Sequence, residues 1–391
     1  MRKTLLFGLA LLPLLLVASP KGADAAATRH CRGLFGPENL FWRTKSPTRA
    51  EVMERLPVGK RHNSGNMLSL NYDIHPDGRL RQSGEFKKQW NYIFGTGPTS
   101  GYGEIVRGRL APGAKSSWGR ASRINKKNLS ECIVDGTTPA ICLGIPSSTD
   151  IPPMSLGHHT GWMIFDKDSD DPRSLKNLGV GDHACLTYKV MYSTNFDFNL
   201  GYETKIPGFG SAPDGRYPPN DHLCEGTRRT VNTGESFSTR VVVGGRGDSP
   251  TAASGKLLGH FRDDMLDVTC KRFRVMTEMH AQDPRTNALM RGVWYRVEHE
   301  LVLNSNYDPR PGQRSGAFMR LSFYDDRTGQ HVTSFGMANT FTFEGVNYPL
   351  MPRRDASGKI EGMFVSMQQT GPDPGMRGFA IAVRDFEFYL K

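Results

Sequence analysis

The chain runs to 391 residues with a formal net charge of +11, is 37% hydrophobic and holds 43 glycines and 25 prolines. That length buries a sizeable core in one or two domains, and so much glycine and proline works against a helical bundle. The basic balance suits an anionic partner. No Lys/Arg tract or recognition-helix pattern points to nucleic acid, and no phosphate-cradling loop or Gly-x-Ser-x-Gly elbow points to a nucleotide enzyme or a serine hydrolase of that fold.

From the N-terminus, Arg2 and Lys3 precede an apolar run from Leu5 to Val17, and Ala23-Asp-Ala25 is a small-x-small cleavage site. Residues 1–25 therefore read as a secretory signal peptide, with the product secreted or periplasmic and carrying a charge of +9. No later segment approaches the roughly 20 apolar residues of a spanning helix, so no membrane span is expected. Residues 26–67 read as an N-terminal extension with one short helix, near Thr48 to Leu56, where Thr48-x-x-Glu51 can form a capping box behind Pro47.

Residues 68–391 read as a single β domain. A hairpin is expected around His75-Pro-Asp-Gly78, and the stretch from about 110 to 176 reads as a loop-rich insertion. Beyond Gly181 the elements are strands: Cys185 to Tyr192, Phe237 to Val243, Val268 to Met279, Val293 to Leu303, Ala317 to Tyr324, His331 to Met337, Met363 to Met367 and Phe379 to Leu390. In the first of these Leu186, Tyr188, Val190 and Tyr192 share one side, a period of two. Strands of this kind, joined by Gly, Asp, Asn and Pro turns, predict an all-β, antiparallel sandwich of jelly-roll type.

The six cysteines, Cys31, Cys132, Cys142, Cys185, Cys224 and Cys270, are an even number in a chain bound for an oxidising compartment, which favours disulfides. Only Cys132 and Cys142, flanking the Gly136-Thr-Thr-Pro139 turn, suggest a specific pair. No pair has the C-x-x-C spacing of a zinc site, His158-His159 reads as a loop pair, and Asp166-Lys-Asp-Ser-Asp-Asp171 shares only its acidity with a calcium loop. No metal and no cofactor is expected. Arg246-Gly-Asp248 is a tripeptide of the kind that chance supplies in a turn.

Chemistry gathers in the middle of the chain. Lys205-Ile-Pro-Gly-Phe-Gly210 sets a lysine at the head of a Pro-Gly turn, and the strand opened by Phe237-Ser-Thr-Arg240 has Ser238 and Arg240 on one face. These two segments resemble polysaccharide lyase family 14, and the likeness extends with less specificity through Gly292 to Asn304 and Asp385-Phe-Glu-Phe388, covering roughly residues 181–391. The resemblance implies cleavage of an alginate-type or glucuronan-type polyuronate by β-elimination, with Lys205, Ser238 and Arg240 in the active-site groove. The family also carries two tyrosines, spaced two apart, on the next strand, held to act in proton transfer. Here that stretch is Gly255-Lys-Leu-Leu-Gly-His-Phe-Arg262, without a tyrosine.

Three outcomes stay open. His260 substitutes as the proton-transfer group, or a tyrosine elsewhere such as Tyr202 does, or the protein is not a lyase. The leading expectation is an exported lyase with Lys205, Arg240 and His260 catalytic, Ser238 and Tyr202 on the substrate, and an acidic polysaccharide as partner. The rivals are a non-catalytic carbohydrate-binding sandwich and a glycoside hydrolase on the same fold, which needs two carboxylates about 5–10 Å apart. The sugar, the endo or exo mode and the oligomeric state are not legible.

The disulfide reading has a direct test: unfolded but unreduced protein should show no reactive thiols in a colorimetric titration. Six reactive thiols would overturn it.

Overall fold

A computed structural model describes residues 30–55, 61–64, 67–70, 102–110, 129–145, 157–167, 170–194, 196, 204–210, 222–223, 230–231, 239–243, 259–264, 274–279, 289–343, 345–353, 356, 358–369 and 379–391. Among these the chain weaves between two large antiparallel sheets. Strands β1 (Leu40–Thr44), β2 (Arg61–Ser64), β3 (Met67–Leu70), β4 (Gly103–Ile105), β5 (Leu129–Val134) and β6 (Thr138–Ile145) join the larger sheet. The chain then crosses to the smaller sheet for β7 (Gly157–Ile164) and returns for β8 (His183–Tyr192). Next come β9 (Thr204–Ile206) and β10 (Gly208–Gly210) in the smaller sheet, and a two-stranded ribbon of β11 (His222–Leu223) and β12 (Thr230–Val231). The smaller sheet is completed by β13 (Thr239–Val243), β14 (Gly259–Asp264) and β15 (Arg274–Met279).

The larger sheet resumes with β16 (Trp294–Val302), β17 (Phe318–Asp325), β18 (His331–Ala338), β19 (Thr340–Phe343) and β20 (Val346–Pro349), before β21 (Gly362–Gln369) crosses once more and β22 (Phe379–Leu390) closes the chain. Among the described residues the result is a thirteen-stranded sheet facing a seven-stranded one. This is the antiparallel sandwich of jelly-roll type that the alternation predicts.

One apolar core holds the sheets together. Leu186, Tyr188, Val190 and Tyr192 of β8 all belong to it, as their period of two requires, alongside Val297, Phe323 and Phe388 of neighbouring strands. The smaller sheet contributes Met163, Ile206, Phe209 and Met363. The Phe209 ring lies 4.5 Å from that of His299 and 6.1 Å from that of Phe388, across the gap between the sheets.

The register of the smaller sheet carries this face through every strand. Ile206 pairs with Val241, Val241 with Phe261 and Phe261 with Thr277, while Met363 pairs with both Met163 and Phe209. Directly opposite residues in antiparallel strands share a face, so these positions form the inner side. The alternate positions form the outer side, where Trp162 is opposite Phe364 towards one edge and Lys205, Arg240, His260 and Glu278 gather towards the other.

Two stretches hold more strands than their sequence announces. The 110–176 segment carries the β5–β6 hairpin of the larger sheet, β7 of the smaller one and a short helix, α2 (Leu175–Leu178). Its hairpin turns through Asp135 and Gly136, both at positive φ (50° and 67°), the backbone a tight reversal between right-twisted strands demands. The 26–67 region likewise gives β1, β2 and β3 to the larger sheet, with β1 paired to β22 and β4. The short helix α1 (Arg49–Arg55) has the expected capping box, with the Thr48 backbone N–H donating to Glu51 at 2.6 Å and the Glu51 N–H donating to Thr48 Oγ1 at 3.3 Å. The hairpin expected at His75–Gly78 lies outside the described residues.

Two disulfides staple the larger sheet. Cys132–Cys142 bridges the β5–β6 hairpin with Cα atoms 5.8 Å apart, the pair anticipated, and Cys31–Cys185 ties the segment before β1 to β8 at 5.9 Å. The Cys31 backbone N–H also donates to the buried Glu298 carboxylate at 2.8 Å. Cys224 and Cys270 lie outside the described residues.

Phe261→Ala and His260→Ala test the face assignment, because adjacent residues on β14 fall on opposite sides. The first should cost about 3–5 kcal/mol and the second no more than about 0.5 kcal/mol in denaturant unfolding. Equal costs would mean the register is wrong.

His299 gives a second prediction. It is fully buried in the core, and burial lowers its pKa from 6.5 to about 3. The folded state therefore binds fewer protons than the unfolded chain, so this contribution to stability is intact above pH 6.5 and is lost as the pH falls towards 3. In urea titrations between these pH values, His299→Leu should lose stability less steeply than the parent. An unchanged slope would contradict the assignment.

Candidate active site

Lys205 lies within β9, not in a turn, and the Pro207-Gly208 step after it does not reverse the chain. Both β9 and β10 run along β21, with Lys205 opposite Gln368 and Gly208 opposite Phe364, so the register slips by one residue at Pro207. Proline is tolerated at such a bulge because no ladder N–H is required of it. The slip lets Ile206 and Phe209 both enter the core while Lys205 falls on the outer face. Tyr188 of β8 donates its phenolic proton to the Pro207 carbonyl at 3.3 Å, pinning the bulge to the larger sheet. Burial pushes that phenol's pKa well above its usual value, which keeps the donor protonated.

On the outer face the register makes one continuous row. His158 is opposite Gln368, Gln368 opposite Lys205, Lys205 opposite Val242, Val242 opposite His260, and His260 opposite Glu278. Strands lie about 4.8 Å apart, so Lys205 and His260 sit about 10 Å from each other along this row. Arg240 stands two residues before Val242 and shares its face, which makes it a diagonal neighbour, at about 7–8 Å, of both Lys205 and His260. Three of the residues singled out from sequence thus share one face of three adjacent strands. Ser238 and Tyr202 lie outside the described residues.

His158 and His159 belong to β7, correcting their reading as a loop pair; successive residues alternate faces, so His158 joins the polar row and His159 the inner side. The sequence reading also missed Gln368, Arg262 and Glu278 as members of this surface. Their place on this face is a product of strand order and leaves no local signature in the chain.

The acidic run after β7 has a structural role: Asp166 and Asp171 both pair with Arg109, the latter at 2.6 Å, and Arg173 adds a third contact at 3.3 Å. A cavity of about 390 Å³ on the larger sheet is lined by Arg32, Arg43, Lys189, Arg296 and Arg384 among others. Each of these cations has a carboxylate partner, respectively Glu387, Glu104, Asp326 with Asp385, Glu298, and Asp385, at 2.9–3.6 Å.

No family model and no curated protein sequence matches the chain. Among solved structures, it is similar to the marine PL-14 alginate lyase from Aplysia kurodai at 14% identity, covering 68% of this chain and 87% of that one with a TM-score of 0.44. Alginate lyase Aly36B follows at 12% identity, 84% and 98% coverage and a TM-score of 0.42. The endo-beta-1,4-glucuronan lyase from the fungus Trichoderma reesei gives 12% identity, 72% and 93% coverage and a TM-score of 0.39.

Proposed function

We propose that the protein is an exported lyase that cleaves an acidic, uronate-containing polysaccharide by β-elimination on the outer face of its smaller sheet. What carries this reading is the register that makes Arg240 a diagonal neighbour of both Lys205 and His260 on one polar face. The chemistry needs a cation against the uronate carboxylate to acidify the C5 proton, a base to take that proton, and an acid for the leaving O4. Lys205 and Arg240 neutralise the carboxylate, with Ser238 orienting it. His260 takes the proton as the C4–O4 bond breaks and the C4=C5 double bond forms, and a proton delivered by His260 or by Tyr202 completes the departing hydroxyl.

A non-catalytic sandwich that binds the same polymer is the second reading. It is favoured by the absence of tyrosine from β14, whose outer positions are His260, Arg262 and Asp264. Ultraviolet absorbance separates the two, since only elimination makes the conjugated unsaturated uronate.

Lys205→Ala should lower turnover of the true substrate at least a hundredfold, the order found on removing one group that stabilises developing charge, and leave the melting temperature unchanged. Arg240→Lys should be comparably severe, because an ammonium cannot reproduce a bidentate guanidinium fork. Parent-level turnover in either variant would remove that residue from the mechanism. Polymer binding should weaken as salt rises, since ions screen such attraction over about 8–10 Å; equal binding of a neutral glucan, insensitive to salt, would contradict the polyuronate reading.

A further inference from the structure

Strand register builds the arginine-lined cavity of the larger sheet. Arg296 of β16 stands directly opposite Lys189 of β8, and Lys189 directly opposite Arg384 of β22, so three cations form one row across three adjacent strands. Like charges directly opposite one another in antiparallel strands are unfavourable, and packing alone gives no reason to assemble such a row. The next row is mixed, with Glu387 opposite both Thr187 and Arg43. Between the two rows β22 holds one more residue than β8 does, a bulge with Asp385 at a φ of 53°. That conformation is uncommon outside glycine, and bulges of this kind re-aim side chains beside functional sites. Here the bulge brings Arg384, Asp385 and Glu387 to the cavity wall, while the Phe386 ring stays in the core, stacked 5.1 Å from that of Tyr188.

The charges are tiered. Among the described residues the five cations of the wall meet two acidic members, Asp385 and Glu387, whereas the other carboxylates that anchor them, Glu104, Asp326 and Glu298, stand outside it. The wall itself thus carries an excess of three positive charges, held in place from behind. A guanidinium has five N–H donors, and the Glu104 contact engages Arg43 through Nε at 2.9 Å. Arg296 is less well satisfied: its buried Nε lies 3.6 Å from Glu298 and has no hydrogen-bond acceptor. An unmade bond of this kind costs free energy, and a charged oxygen acceptor makes the strongest bonds to a guanidinium. Arg32 and Arg43 keep 59% and 49% of their side chains exposed, so both can turn towards a ligand. The volume, about 390 Å³, falls near the lower end of the roughly 300–1,000 Å³ usual for small-molecule sites.

We infer that this cavity is a second ligand site, for a mono- or disaccharide that bears one oxyanion, either a carboxylate or a sulfate ester. Arg43, Arg296 and Lys189 hold the oxyanion, and Asp385 and Glu387 accept hydrogen bonds from the sugar hydroxyls. The inference does not rest on the lyase reading, because the strands that build the wall, β1, β8, β16 and β22, all belong to the larger sheet.

Calorimetric titration of the full chain with glucuronate, glucose 6-sulfate, glucose and inorganic sulfate tests it. At least one of the two acidic sugars should bind saturably with a Kd of about 1 mM or tighter, and which of them binds names the oxyanion. Glucose should not bind, and inorganic sulfate should bind at least about tenfold more weakly than the acidic sugar, since it lacks the hydroxyls. Arg43→Gln and Arg296→Gln should each lose about tenfold, the effect of one charge-assisted hydrogen bond. Lys205→Ala, on the other sheet, should lose nothing. Arg32→Gln, at the most exposed of these arginines, guards against misfolding: it should weaken binding with the parent's melting temperature. No saturable binding of either acidic sugar up to about 10 mM, equal binding of glucose, inorganic sulfate as tight as the sugar, or unchanged affinity in all three arginine variants would overturn the inference. Loss of binding in Lys205→Ala would move the ligand to the smaller sheet and overturn it as well, while leaving the elimination reading intact.

Discussion

The contact between the two inner faces at Pro207 and Phe209 governs the rest of the molecule. A seven-stranded sheet with polar residues along one side has no reason to adopt a single curvature or register unless its other side is fixed by packing. Here Phe209 enters a core of His299 and Phe388, and Tyr188 reaches the Pro207 carbonyl from the opposite sheet. The one-residue slip at Pro207 reconciles two demands that strict alternation could not: buried side chains at Ile206 and Phe209, and an outward position for Lys205. Gly362 plays a matching part on β21, since a Cβ there would collide with the Met163 backbone of the adjacent strand.

The larger sheet supplies the rigid reference. Its outer surface is not bare: disulfides at Cys31–Cys185 and Cys132–Cys142, and the buried carboxylates Glu298 and Glu300, which pair with His30, His183 and Arg320, fasten the N-terminal segment and neighbouring strands. The disulfides are consistent with an oxidising destination outside the cytosol. Charge on this sheet is matched group for group around the cavity near Asp385, where a bulge hands β22 from one partner strand to another. The smaller sheet instead gathers Lys205, Arg240 and Arg262 in one small area of its outer face.

Much of the fold was legible because its strands alternate strongly. Trp294–Val302 and Phe379–Leu390 follow the predicted bounds to within a residue, and Thr48 and Glu51 announced their capping box by spacing alone. Strand β7 escaped notice because Gly157, Gly161 and two histidines give it little β propensity; its strand character comes from pairing along the whole of β21. The Pro-Gly step was read as a reversal because those residues usually mark one, and only the ladder to β21 shows a bulge. Lys205 and Arg240 were visible through a motif, whereas Gln368, Glu278 and Arg262 become their neighbours only when strand order is known.

The central claim is that an acidic polysaccharide lies across the strands of the smaller sheet on its polar face. A crystal structure of the protein with a short alginate oligosaccharide tests this most directly. The account predicts sugar density crossing β9, β13 and β14, with one carboxylate against Lys205 and Arg240. Oligosaccharide seated in the arginine-lined cavity of the larger sheet, with the polar face of the smaller sheet empty, would contradict it.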